Sequence, residues 1–356
     1  MKPKEKGNYP NMMNQEEKTP DMPAANEASS LGNSDPSAAE LLPIRIGISS
    51  CLLGEAVRFN GGHKRDRYLT ETLGQYFEYV PVCPEVEVGL GVPRPTLRLQ
   101  FHSSENVRLI MPQTGEDYTE KMARWAKTRI HALRELDLCG YVLKKNSPSC
   151  GLRVRTFYSD GRMAPWALGR FAAALMEAMP HLPVIEEGRL HDPQLRENWI
   201  EQVFGYHRLK QLWRSRWTIG KLVEFHTRHK FLLLAHSPKL YEELGRLVAH
   251  AKQINRQELR ERYEAAFMKA LSTMATRNKH CNVLHHMLGY FSDKLDKASR
   301  QELLGEIQDF RRGLVPLVVP LVLVRHYVRL FSVDYLRDQT YLNPHPKELA
   351  LRSYVV

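Results

Sequence analysis

The chain has 356 residues, 43% of them hydrophobic, and a formal net charge of +11. That apolar content supports packed cores and excludes a wholly disordered chain. The longest apolar run, residues 314–324, is interrupted by Pro316 and Pro320 and is too short for a bilayer helix, which needs about 20 residues, so it is expected as buried core.

The positive excess suggests a polyanionic partner, either nucleic acid or an anionic membrane surface. Its location narrows the choice. Residues 1–42 carry a net −3, residues 206–356 a net +12, and the segment between them +2. A basic C-terminal half is what a phosphate-gripping module requires. The five cysteines, Cys51, Cys83, Cys139, Cys150 and Cys281, are odd in number. The N-terminus leads into polar residues rather than a secretory signal, so free thiols in a reducing cytoplasm are expected.

Residues 1–42, rich in Asn, Ser, Pro, Ala and Glu, read as a disordered tail. From 43 to 192 short apolar runs alternate with helical stretches. Strands are expected at 44–48, 79–82, 107–111, 139–143 and 182–185. Helices are expected from a capping box at Asp117–Glu120 to about Leu136, and at 169–179. This alternation implies an α/β domain with a mainly parallel sheet, whose ligands bind beyond the carboxyl ends of the strands. Residues 193–356 read as an all-α domain. A charged helical link covers 193–220, and one helix is expected over 219–235. Ser237-Pro238 reads as an N-cap with Pro at the first helical position, and further helices follow at 257–275, 281–296 and 299–312.

Three cysteines follow strands or sit in turns: Cys51 in SSCLLG, Cys83 in PVCPE and Cys150 in SPSCG. If the strands are parallel, the three thiols emerge at one sheet edge. Thiolates suit zinc or iron–sulfur clusters, and three rather than four leave one metal position open. Spacing alone favours a structural role, because cysteine is among the most buried residue types and C-x-x-C spacing is absent. Cys139, in a strand, and Cys281, in a helix, read as core thiols.

The blocks ISSCLLGEAVRFNGG, PVCPEVEVGLGVPRP, GEDYT and VLKKNSPSCG, in that order, resemble the TudS-like thiouracil desulfidases. The block GRMAPWALGR departs from the more glycine-rich stretch expected there. The segments LVEFHTRHKFLLLAHSPKLYEELGRLVA, NVLHHMLGYF, PLVVPLVLVRHYV and YLNPHPKELALR are similar to the helical YbgA-type domain often fused to such desulfidases. The fused form resembles enzymes acting on 4-thiouridine in tRNA. The resemblance implies that Cys51, Cys83 and Cys150 hold a 4Fe–4S cluster with one iron lacking a protein ligand. It implies a non-redox desulfuration that converts 4-thiouridine to uridine and releases hydrosulfide. Glu85, two residues after Cys83, is the candidate general acid/base. Ser147 is the candidate proton relay or hydrogen-bond donor, and Ser49, Ser50 and Ser149 are candidate donors to cluster sulfides.

In the helical half, Tyr206, His207, Arg208 and Lys210 mix bases with rings that suit stacking on RNA, so tRNA is the expected partner. Trp213 and Trp217, one turn apart, read as core. His226 and His229 stand at a chelating i, i+3 spacing. Without nearby carboxylates or an H-E-x-x-H motif they read instead as packing or RNA-facing residues. Two alternatives remain beside the tRNA enzyme. One is a desulfidase for free thiouracil or a thionucleotide; the other is a non-catalytic iron–sulfur sensor that binds nucleic acid.

Overall fold

The run IRIGIS forms β1 (Ile44–Ser49), and its last four residues are buried. Then come β2 (Phe77–Val82), the single turn α1 (Pro84–Glu87), β3 (Arg98–Phe101), β4 (Val107–Met111) and the two-residue β5 (Glu116–Asp117). Next are α2 (Thr119–Glu135), β6 (Gly140–Leu143), β7 (Val154–Phe157), β8 (Met163–Ala167), α3 (Arg170–Ala178) and β9 (Val184–Glu186). The computed structural model describes residues 43–103 and 106–354, so the tail expected over 1–42 lies outside the described residues.

The first sheet has the order β2-β1-β6-β9 and is parallel throughout. Helices α2 and α3 cover one face through Ala126, Ile130, Leu133, Phe171 and Leu175. The other face packs Ile46, Ile48 and Val142 against Trp199, Ile200 and Val203. A sheet buried on both faces explains why its strands are apolar runs rather than alternating ones. The chain passes from β1 outward to β2 on one side and reaches β6 on the other. The switch point of the sheet therefore lies beyond the end of β1, where such folds bind ligands.

A second sheet, β5-β4-β3-β7-β8, was not expected. It is antiparallel except where β3 runs parallel to β7. The block GRMAPWALGR becomes β8 and the entry to α3. The capping box is also corrected. Asp117 is spent in β5 and accepts a bond from the Thr119 amide at 2.8 Å, while α2 starts at Thr119 without a side-chain cap.

The remainder is helical: α4 (Pro193–Arg214), α5 (Ile219–Arg228), α6 (Lys230–His236), α7 (Pro238–Ala249), α8 (Arg256–Ser272), α9 (Arg277–Leu288), α10 (Lys297–Arg312), α11 (Val318–Leu330) and α12 (Asp334–Arg337). Asp192 caps α4 by accepting from the Gln194 and Leu195 amides. The first turns of α4 cover the parallel sheet, whereas Tyr206, Leu209 and Trp213 further along it enter the helical core. Arg352 reaches back to Glu197 at 3.3 Å and Glu201 at 2.6 Å, and so fastens its own segment to α4.

Several helical expectations change. The helix expected over 219–235 breaks at His229, whose ring nitrogen Nδ1 bonds the Phe225 carbonyl at 2.7 Å. The helix expected to reach 296 ends at Leu288. The run 314–324 is only partly core, because Leu314 and Val322 are exposed. Ser237 caps α7 as the Ser-Pro pair predicts. No helix among the described residues is long and apolar enough to cross a membrane.

The basic–aromatic stretch in α4 is interior rather than RNA-facing. Tyr206 and His207 are buried. Lys210 donates to the Leu138 carbonyl at 2.6 Å and pairs with Asp137. Burial pushes the Arg208 guanidinium down to about 10. Trp213 is buried edge-on to Trp217, as core residues should be.

Candidate active site and metal centre

Cys51 lies two residues beyond β1, in a tight turn whose backbone is gripped by the returning chain. The Lys64 amide donates to the Cys51 carbonyl at 2.8 Å, and the Asp66 amide to that of Leu52 at 2.9 Å. Cys83 follows β2 directly and is the N-cap of α1. The sequence CPEVE makes this turn because Pro84 suits the first helical position and Glu87 accepts from the Cys83 amide at 3.1 Å. Cys150 lies in the loop after β6. All three thiols line one cavity of about 390 Å³, together with Glu85, Ser147, Ser49, Ser50 and Lys144.

The loop SPSCG is held from two sides. The Ser147 hydroxyl accepts from the Cys150 amide at 3.0 Å and the Ser149 amide at 3.2 Å, and it donates to Glu85 Oε1 at 3.2 Å. One side chain thus ties the Cys150 loop to the Cys83 turn. From the other side the N-terminus of α3 donates into the loop. The Arg170 amide bonds the Pro148 carbonyl, and the Phe171 and Ala172 amides share that of Ser149, all at 3.0 Å. These amides would be orphan donors of the helix, so helix and loop satisfy each other. Gly169 permits the close approach: a Cβ there would stand 2.5 Å from the Ser149 carbonyl oxygen.

Lys144 also lines the cavity and is paired with the buried Glu187. Lys144 Nζ reaches Glu187 Oε1 at 2.5 Å, and the Lys145 amide donates to Glu187 Oε2 at 2.7 Å. The Lys144 amide donates to Ser49 Oγ at 3.0 Å. The block VLKKNSPSCG carries no sequence signal that assigns Lys144, and none marks Gly169 or Glu187. Only the β6–β9 pairing, which places Glu187 beside Lys144, reveals that contact.

Burial pushes Cys51 up to about 12, against the opposing pull of the Lys144 charge. It pushes Cys83 up to about 11, with Glu85 adding to the rise. Complete burial raises Cys150 well above the ordinary thiol value, with Glu85 adding to the rise and a bond with Ser49 opposing it. The bare thiols are therefore neutral, and a bound cation must take the place of their protons.

Among the described residues no three His, Cys, Asp or Glu side chains stand close enough to share a single metal ion. The thiols are not arranged around one ion. A four-iron cluster is a larger body whose thiolate ligands stand further apart, around a space rather than a point. The donor set fits such a group: the soft sulfurs of Cys51, Cys83 and Cys150 line one cavity together with Ser49 and Ser50, whereas Ser149, also expected as a donor, is buried and does not line it. Cys51, Cys83 and Cys150 are the residues that would hold it.

Other candidates fall away from the cavity. Cys139 is buried with its sulfur 3.7 Å from His207 Nδ1, and Cys281 with its sulfur 3.8 Å from the Ile307 carbonyl. His226 bonds the Tyr263 hydroxyl at 3.2 Å, and His229 accepts from Arg208 Nε at 3.2 Å. Both rings are buried, so they are packing residues, neither chelating nor RNA-facing.

Comparison with known proteins divides the chain in two. Residues 46–187 match the family model described as 2-thiouracil desulfurase, and residues 230–346 match a protein family of unknown function, DUF1722. The uncharacterized protein YbgA of Escherichia coli (strain K12) is 36% identical over 157 residues, which is 44% of this chain and 93% of that protein. The uncharacterized protein YbbK of Bacillus subtilis (strain 168) is 32% identical over 108 residues, 29% of this chain and 71% of that protein. A solved structure of a [4Fe-4S]-dependent thiouracil desulfidase, TudS, is 28% identical, with a TM-score of 0.35 over 42% of this chain and 94% of its own. The chain belongs to the 2-thiouracil desulfurase family through its α/β region, and carries a YbgA-type helical region after it.

Proposed function

We propose that the protein is an iron–sulfur-dependent desulfidase that replaces the sulfur of a thiolated pyrimidine with oxygen, and that its substrate is 4-thiouridine in tRNA. The observation that carries this reading is the meeting of Cys51, Cys83, Cys150, Glu85 and Ser147 in one cavity at the carboxyl ends of parallel strands. A cluster held by Cys51, Cys83 and Cys150 would supply an open Lewis-acidic iron suited to a soft sulfur.

The chain's own groups then account for the rest. The reaction exchanges a thiocarbonyl sulfur for the oxygen of water and releases hydrosulfide, so protons move but no electrons do. Glu85 is the group placed to carry those protons, at a ring nitrogen or at the attacking water. Ser147, which donates to Glu85 Oε1 and accepts from the Cys150 amide, fixes the carboxylate relative to the Cys150 loop. Lys144 places a positive charge beside Cys51, which favours the anionic thiolate.

The test is an anaerobic assay of reconstituted protein with thiolated tRNA, following the fall in thiouridine absorbance and the appearance of sulfide. Parallel reactions with free 4-thiouracil and 4-thiouridine distinguish the polymer from the base as substrate. Iron-loaded protein that leaves every thiolated substrate intact would sink the proposal.

A further inference from the structure

The second sheet carries a surface that the thiol cavity does not explain. Along β7, Val154 and Thr156 point inward and are buried. Period-2 alternation turns Arg155 and Phe157 to the outer face. There the Arg98 guanidinium lies 4.9 Å from the Phe157 ring centre. Arg153 and Arg155 flank Trp166 of the edge strand β8 at 4.7 and 5.4 Å. Trp166 is 47% exposed. Strands β3, β7 and β8 contain no carboxylate, and Arg98, Arg153 and Arg155 make no ion pair among the described residues. A groove lined by Arg98, Arg155, Phe157 and Trp166 shares Thr96, Leu97, Asn146 and Pro148 with the thiol cavity, so the two spaces adjoin.

We infer that this sheet face is a docking surface for single-stranded RNA, with Trp166 as a stacking platform and Arg98, Arg153 and Arg155 as phosphate ligands. The identity of the base in the cavity rests on the desulfidase reading; the surface itself stands on its own geometry. A base can enter a cavity of this size only after leaving its stack, and its neighbours in the chain then need a place to lie. Arginines without an ion pair among the described residues, set beside an exposed Trp166 and a half-buried Phe157, match the charge and the flat faces of those neighbours. An arginine stacked on a ring keeps its N–H groups free to meet phosphate. The partner thus lies along the α/β region, not along the stretch of α4 where sequence reasoning sought it.

The experiment measures the binding of fluorescently labelled single-stranded RNA and of tRNA to iron-loaded protein by anisotropy, across a salt series. Free thiolated base is turned over in parallel. Trp166→Ala is expected to weaken binding roughly 5- to 150-fold, and Trp166→Phe to keep most of the affinity. Arg153→Ala with Arg155→Ala is expected to lower the slope of log affinity against log salt by about 1.4, two phosphate contacts' worth. None of these variants should change turnover of the free base. Unchanged RNA affinity in Trp166→Ala and in the arginine pair would overturn the assignment. So would an affinity for anionic vesicles with the same dependence on Trp166. Wild-type protein that desulfurates free base but ignores RNA overturns the surface and spares the desulfidase reading. RNA binding with the expected pattern but no turnover of any thiolated substrate does the reverse.

Discussion

Replacing Gly169 by alanine should cost the protein its iron while leaving it folded. The added Cβ would stand 2.5 Å from the Ser149 carbonyl oxygen, 2.6 Å from its carbon and 2.9 Å from the Cys150 amide nitrogen. All three are backbone atoms, so no rotamer change relieves the clash. Loop and helix must part by ~1 Å to reach ordinary contact. That movement strains the bonds from the Phe171 and Ala172 amides to Ser149, which fix the loop to α3. Overpacking of this kind costs about 1–3 kcal/mol, a fall in Tm of roughly 1–4 °C for a protein of this size. Ligand constellations tolerate about 0.5 Å of error, so Cys150 would leave its working position. The assay is iron per chain after anaerobic reconstitution, set beside a thermal melt. Gly305→Ala is the control: nothing lies within 4 Å of its Cβ position inside α10. It should gain about 0.5–1 kcal/mol and keep its iron. Full iron content in Gly169→Ala would refute the view that α3 holds the Cys150 loop in place.

Other expectations follow from the same geometry. Cys139→Ala and Cys281→Ala should retain iron and turnover, since both thiols are buried away from the cavity; loss in either by iron analysis would redraw the ligand set. Glu85→Gln should keep iron and lose turnover, and a fully active variant would remove this carboxylate from proton transfer. Glu187→Gln leaves the Lys144 ammonium without its buried partner. Its urea midpoint should fall by the equivalent of up to roughly 3–5 kcal/mol, and an unchanged midpoint would contradict the pairing. Burial holds His226 and His345 down to about 4 and His280 to about 3. The unfolded chain protonates these rings near 6.5, so their contribution is complete above that pH and is lost as pH falls towards 4. Urea unfolding across this window should show declining stability, and a flat profile would contradict the neutral state of these rings.

The cavity was legible in sequence because its parts lie in turns directly after apolar strands. Parallel pairing, inferred from alternation, brings such turns to one edge. The second sheet was not legible. Its strands RLQF and VRTF are four residues long, half exposed and rich in arginine, so their apolar period is too short to register. Bulk charge misled for a related reason. Residues 43–205 carry only +2, yet the outer sheet face gathers arginines whose compensating carboxylates lie elsewhere in the same segment. In α4 the composition suited RNA, but Lys210 is satisfied internally by the Leu138 carbonyl and Asp137. Such a stem-and-tip side chain looks the same in sequence whether it faces solvent or crosses a domain junction. The break between α5 and α6 carries no Gly or Pro signal and arises from the buried ring of His229.

The central claim is that three thiolates at one sheet edge hold a cluster that receives a foreign sulfur. Iron and acid-labile sulfide per chain, measured in anaerobic wild-type protein and in Cys51→Ala, Cys83→Ala and Cys150→Ala, test it most directly. The account predicts about four of each in the wild type, and a collapse of both in every variant. Wild-type protein that takes up no iron, or any of these variants that retains the full complement, would contradict it.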